Sequence, residues 1–155
     1  MRTQRSKVFA FISDDIATTP FAGQIIQGAQ ITAWQHEMLL LMFNTSGDSA
    51  LEEACVESAL DRGVDGIIFA AMYHRAVRVP KNAHRCPLVL VDCFAQDSVA
   101  QSVVPDEVSG GFVATRTLLE KGHRRIAMIN ADHKYPAAAG RYQGYLKALK
   151  KYRVS

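Results

Sequence analysis

Residues 103–127, VVPDEVSGGFVATRTLLEKGHRRIA, constrain the fold more than any other stretch. An apolar strand end, Val103 and Val104, meets Pro105 and Asp106. Asp106 can cap a helix by accepting bonds from its first free amides, and Pro105 keeps the residue ahead of it extended. The helical pattern runs to Lys121 and stops at Gly122, a residue that readily takes the left-handed conformation closing a helix. After the basic turn His123-Arg124-Arg125 a second apolar run covers residues 126–129. Strand, acidic turn, helix, basic turn and strand make a crossover unit of a parallel sheet. That arrangement places one carboxylate at the carboxyl edge, where such sheets bind ligands.

The rest of the chain repeats the pattern. Residues 8–12, VFAFI, form a continuous apolar run, as expected of a parallel strand buried on both faces. Thr19 can cap the next helix, with Pro20 at its first position. Ile25, Ile26, Ala29 and Ala33 then share one face. Residues 38–43 read as a second strand. Ser49-x-x-Glu52 has the form of a capping box, opening a helix that points Leu51, Ala54, Cys55, Ser58 and Ala59 inward and ends near Gly63. Residues 66–71 are the third strand, 88–91 the fourth and 101–104 the fifth. Residues 72–85, interrupted by Pro80, leave room for one short helix. Helix 107–121, strand 125–130 and helix 137–151 follow, the last with Tyr142, Tyr145, Leu146 and Leu149 at helical spacing. Six strands alternating with about five helices predict an α/β doubly wound, mostly parallel sheet. The order of the strands does not follow from the alternation.

Chemistry is sparse in this pattern. No Gly-x-Ser-x-Gly elbow, phosphate-binding loop or Gly-x-Gly-x-x-Gly is present, so no catalytic residue and no cofactor is predicted, and the chain does not read as an enzyme. Asp14 and Asp15 read as solvated turn residues. The five histidines lack ligand spacing, which argues against a metal site. The three cysteines, Cys55, Cys86 and Cys93, have no Cys-x-x-Cys spacing and suit a reducing compartment. The basic amino terminus precedes an apolar run too short for a signal peptide, and no stretch approaches a membrane span of about 20 apolar residues. A cytoplasmic protein without membrane contact is expected. The net charge of +3 is too mild to imply nucleic acid by itself.

Several segments, in order, resemble the core of the lac-repressor (LacI) family of bacterial transcriptional regulators. They are Asp106 with its glycine-containing helix and GHRRIA at 122–127, GVDGIIFA at 63–70, PLVLVD at 87–92, and RYQGY at 141–145. The resemblance implies a flavodoxin-like subdomain of the type I periplasmic-binding-protein fold, with a second subdomain across a cleft. It assigns residues 1–6 to a linker after a missing DNA-binding headpiece, 7–121 to the first subdomain without its late-returning strand, and 122–155 to the first strand–helix unit of an incomplete second subdomain. Such a fragment is expected to expose Ile126, Met128, Leu146 and Leu149, to leave operator DNA to the missing headpiece, and to bind ligand weakly or not at all. The Trp34-Gln35-His36-Glu37 segment departs from the family, which usually has a glycine before the second strand.

The same resemblance implies a small-molecule effector, most simply a carbohydrate, and a homodimeric parent. Carboxylates and a planar guanidinium bind paired hydroxyls, and an aromatic face covers the apolar side of a sugar ring. Arg141 and Asp106 match cleft positions of the family pattern. Thr19, Phe21, Met72, Tyr73 and Asp92 are candidates by their place beyond strand ends. The alternatives are a solute-binding protein of a sugar transport system and a small α/β enzyme.

Overall fold

The apolar runs up to Val103 form a single parallel sheet in the computed structural model, which describes residues 6–16, 20–96 and 100–154. Its strands are β1 (Val8–Ser13), β2 (Leu39–Asn44), β3 (Gly66–Ala76), β4 (Leu88–Phe94) and β5 (Gln101–Val103), in the order β2-β1-β3-β4-β5. This is the flavodoxin-like order, and winding reverses between β1 and β3. Helices α1 (Pro20–Gln35) and α2 (Ser49–Asp61) make the crossovers from β1 to β2 and from β2 to β3. A 3-10 turn at Lys81–Arg85 precedes β4. Thr19 lies outside the described residues, as does all of the expected linker except Ser6.

In-register pairing of Ala10 with Ile67 and Ile12 with Phe69 puts these four side chains on one face. They join Leu90 and the α2 residues Cys55, Val56 and Ala59 in the core. Burying each large member stabilises the fold by about 1.5–3 kcal/mol. The α2 face differs from the expected one. Leu51 is exposed and Val56 is fully buried, so the inward stripe runs 52/55/56/59. The cap differs too. Asp48, not Ser49, accepts the free amides of Ala50 and Leu51 at 2.8 and 3.1 Å. A carboxylate one residue earlier reaches both donors, so the Ser49 hydroxyl is not needed as a cap.

On the opposite face, Phe9, Ile68 and Val103 look onto α1 across an open groove of about 1060 Å³. The departure before β2 has a backbone consequence. Glu37 adopts φ 56°, the left-handed conformation that a glycine takes without strain, and its carboxylate pairs with Lys7 at 2.6 Å.

The contacts divide the chain into two compact units, Met1–Val104 and Pro105–Ser155. The second contains α3 (Glu107–Glu120) and α4 (Pro136–Lys151). Within this unit α3 and α4 pack directly on each other. A side chain on Gly111 would collide with the Arg141 carbonyl, and one on Gly144 with the Val108 carbonyl, so the two backbones touch through glycine. The buried residues of α4 are accordingly small, Ala138, Gly144 and Ala148, while Tyr142 and Leu146 of the expected stripe are exposed.

The segment 125–130, expected to be a strand, pairs with no strand among the described residues. A strand needs a neighbour to take its amides and carbonyls. Here a side chain supplies one partner instead, the Tyr145 hydroxyl donating to the Ile126 carbonyl at 2.9 Å, and the segment's own Asn130 side chain donates to the Ala138 carbonyl of α4 at 2.8 Å. Exposure alternates along the segment. Ile126, Met128 and Asn130 are half-buried, while Ala127 and Ile129 are exposed. Leu149, expected to be exposed, is half-buried, and Leu146 is 43 % exposed.

Candidate functional site

The reversal point of the sheet, at the carboxyl ends of β1 and β3, is built by a bulge. Ala70 pairs with Val91 and Arg75 with Cys93, so residues 71–74 of β3 oppose Asp92 alone on β4. Extra residues in one strand bend it and re-aim its side chains, a device common beside binding sites. Met72 and Tyr73 lie in the bulge and Asp92 faces it, so three sequence-predicted residues come together here. Met72 is half-buried and Tyr73 is 53 % exposed. Asp92 is buried and has φ 53°, uncommon for a residue with a side chain. Phe21 stands apart on the first turn of α1 with its side chain exposed.

Asp14 holds the bulge and is not the solvated turn residue expected. One of its carboxylate oxygens accepts the Met72 amide at 3.0 Å, and the other pairs with Arg75 at 2.8 Å. Both side chains are largely shielded, at 12 % and 29 % exposure. The Arg75 guanidinium also lies over the Tyr73 ring, 5.1 Å from its centre. Local sequence carries no signal for this pairing, because Asp14 and Arg75 are separated by 61 positions. A neighbouring pocket of about 220 Å³ is lined by Ser49, Glu52, Glu53, Arg75 and Arg78. Burial, only partly offset by Arg75, raises the Glu52 carboxyl above its ordinary value.

Beneath the edge, Cys93 is fully buried, and burial pushes its thiol up to about 11. That thiol stays protonated and offers no nucleophile.

In the second unit, Asp106 caps α3 as expected, accepting the Ser109 amide at 2.9 Å. That bond holds its carboxyl below the usual range. Arg141, on the second turn of α4, makes a two-pronged ion pair with Glu107. Its Nε donates to Oε2 at 2.6 Å and its Nη2 to Oε1 at 3.1 Å. The Glu107 side chain is 11 % exposed and that of Arg141 is 54 % exposed. Glu107 was missed because it sits in the shadow of the Asp106 cap. Its partner 34 positions away becomes visible only when α3 meets α4. Among the described residues no helix is long and apolar enough to cross a membrane.

Comparison with known proteins places this architecture. The family described as periplasmic binding proteins and sugar binding domain of LacI family matches residues 6–154. The ribose operon repressor of Haemophilus influenzae is 26% identical over 136 residues, covering 88% of this chain and 41% of that protein. The HTH-type transcriptional repressor CytR of Escherichia coli is 26% identical over 154 residues, covering 97% of this chain and 44% of that repressor. A crystal structure of a LacI-family transcriptional regulator from Rhizobium etli superposes with a TM-score of 0.86 at 29% identity, covering 97% of this chain and 54% of that one. The chain thus spans less than half the length of these two curated relatives, which are transcriptional repressors. With a match over nearly all its residues and the strand order to go with it, the chain belongs to the family of periplasmic binding proteins and LacI-type sugar-binding domains.

Proposed function

We propose that this chain is the effector-binding portion of a cytoplasmic LacI-type transcriptional regulator, and that its effector is a small carbohydrate or a molecule bearing one. The observation that carries the reading is the match of residues 6–154 to a sugar-binding family whose relatives here are repressors. Phe21, Met72, Tyr73 and Asp92 in the first unit, with Thr19, and Asp106 and Arg141 in the second, are the proposed ligand contacts. In the first unit Asp92 supplies an acceptor and Tyr73 an aromatic face, and in the second Arg141 supplies donors, each a group that suits hydroxyl-bearing ligands. Signalling follows by linkage. An effector that binds one conformation better than another shifts the population, and with it the affinity for DNA elsewhere in the parent regulator.

The same family includes transport-system solute receptors, so that reading shares the fold. The repressor relatives favour regulation. We assign operator contact to the parent regulator outside residues 6–154, and assign these residues no reaction. A dimeric parent is supported by Ile31, Trp34 and Leu39, which are 52 %, 71 % and 56 % exposed on α1 and the edge strand β2. Thermal unfolding of the chain with monosaccharides, disaccharides and nucleosides at millimolar concentration tests the effector assignment. Selective binding to the folded state must raise the midpoint. A rise with one chemical class is expected. Equal midpoints across the panel count against the assignment.

A further inference from the structure

The Arg141–Glu107 pair bears on which ligands the site accepts. An arginine has five N–H donors. Glu107 takes the Nε proton and one Nη2 proton, leaving the two Nη1 protons and one on Nη2. The pair is held rigidly by its helices. A side chain on Gly140, next to Arg141, would come within 2.7 Å of the Glu107 Cβ, and Gly111 lies against the Arg141 backbone. Glu107 sits on the first turn of α3 with its carboxylate mostly shielded, so the guanidinium carries its counter-charge with it.

We propose that Glu107 is a specificity-determining and positioning residue, which orients the free edge of Arg141 and makes the site select uncharged hydroxyl-bearing ligands over phosphorylated or carboxylated ones. This rests on the assignment of Arg141 to the effector site. An unpaired arginine is an anion receptor, because its fork matches phosphate and carboxylate. With its Nε–Nη2 fork occupied, Arg141 cannot clamp an anion through that fork. Its remaining donors still meet hydroxyl or carbonyl oxygens without needing a charge. The Glu107 carboxylate also repels an approaching anion. An anionic effector is left with the Nη1–Nη2 edge of a guanidinium whose charge Glu107 already neutralises, and gains the side-on fork only by displacing that shielded carboxylate.

The test uses inorganic phosphate as probe, so it does not depend on knowing the effector. Thermal unfolding is followed in phosphate against chloride at matched ionic strength, for the wild-type chain, Glu107→Gln, Arg141→Gln and the double variant. The expected result is no specific phosphate stabilisation in wild type, stabilisation in Glu107→Gln with at least about tenfold tighter apparent phosphate binding, and its loss in the double variant. A Glu107→Gln chain that folds and responds to phosphate as wild type does overturns the proposal. If Glu107→Gln does not fold, Glu107→Asp serves in its place, since the shorter carboxylate cannot hold the same fork, and an unchanged phosphate response there is equally refuting. The effector reading fails by a separate result, when no carbohydrate or nucleoside stabilises wild type. If Glu107→Gln responds to phosphate while no sugar binds, the selectivity filter stands and the carbohydrate assignment falls.

Discussion

Replacing Gly144 by alanine tests whether α3 and α4 pack backbone to backbone. A methyl at Gly144 would point at the Val108 carbonyl and lie 2.5 Å from the Phe112 amide nitrogen. Ordinary contacts between heavy atoms lie near about 3.5 Å, so the helices must part by roughly 1 Å. Overpacking of this kind costs about 1–3 kcal/mol. Alanine returns about 0.5–1 kcal/mol by restricting the unfolded chain and favouring helix, so a net loss of about 1–2 kcal/mol is expected. Gly110 is the control. It lies in α3, one residue from Gly111, yet a methyl there meets nothing within 4 Å. Gly110→Ala should therefore stabilise by about 0.5–1 kcal/mol. Urea unfolding followed by far-UV circular dichroism separates the two. With a slope of about 1–3 kcal/mol per molar urea, the midpoints of the variants should differ by about 0.5–3 M. Equal stabilisation by both substitutions would refute the glycine-mediated contact.

Three further outcomes follow from the same structure. Glu52 is a carboxyl raised by burial, so ionising it costs folding free energy. The stability it contributes is full below its unfolded value and falls as pH rises through its folded one. Glu52→Gln should accordingly be more stable than wild type near pH 7, with the advantage vanishing below about pH 4, and an advantage that grows on acidification would contradict the assignment. In alkylation at pH 8, half-buried Cys86 should react first. Buried Cys93, with roughly one thiolate per thousand molecules at its raised value, should react only after unfolding, and rapid native labelling of Cys93 would be inconsistent with this core. Limited trypsin digestion should cut first after Arg125 or Lys134, on the two sides of the strand-less segment where Ile129 is fully exposed, whereas first cuts within α2 or α4 would argue against its openness.

What the sequence revealed and what it hid divide along the range of the interactions. Strands β1 to β4 were visible as apolar runs, while β5, exposed at all three residues, was placed by its position before the Pro105-Asp106 turn. The Asp106 cap and the Gly122 stop were visible because helix ends are settled within a few residues. The bulge at 71–74 was not, because Asp14 and Arg75, which brace it, are distant in sequence. The strand expected at 125–130 shows the converse case. Its alternating exposure fits a strand, but pairing depends on neighbours that local sequence does not specify. In α4 half of the expected stripe faces inward, with Tyr145 and Leu149 half-buried and Tyr142 and Leu146 exposed. Helix contact was decided by where two backbones could touch, at Gly111 and Gly144, rather than by hydrophobicity. Of the candidate site, Met72, Tyr73 and Asp92 meet at one strand edge, and Arg141 meets Glu107, a residue that its own neighbourhood had concealed.

The most direct test of the effector assignment is ligand-observed saturation-transfer NMR on the wild-type chain and Arg141→Gln, with neutral monosaccharides, disaccharides and nucleosides. The method registers weak binding, which is what a chain covering about half of its relatives should show. Transfer to the ring protons of at least one neutral carbohydrate-bearing ligand is expected in wild type, with its loss in an Arg141→Gln chain that remains folded. Transfer of equal strength in both chains, or transfer to none of the ligands, would contradict the assignment.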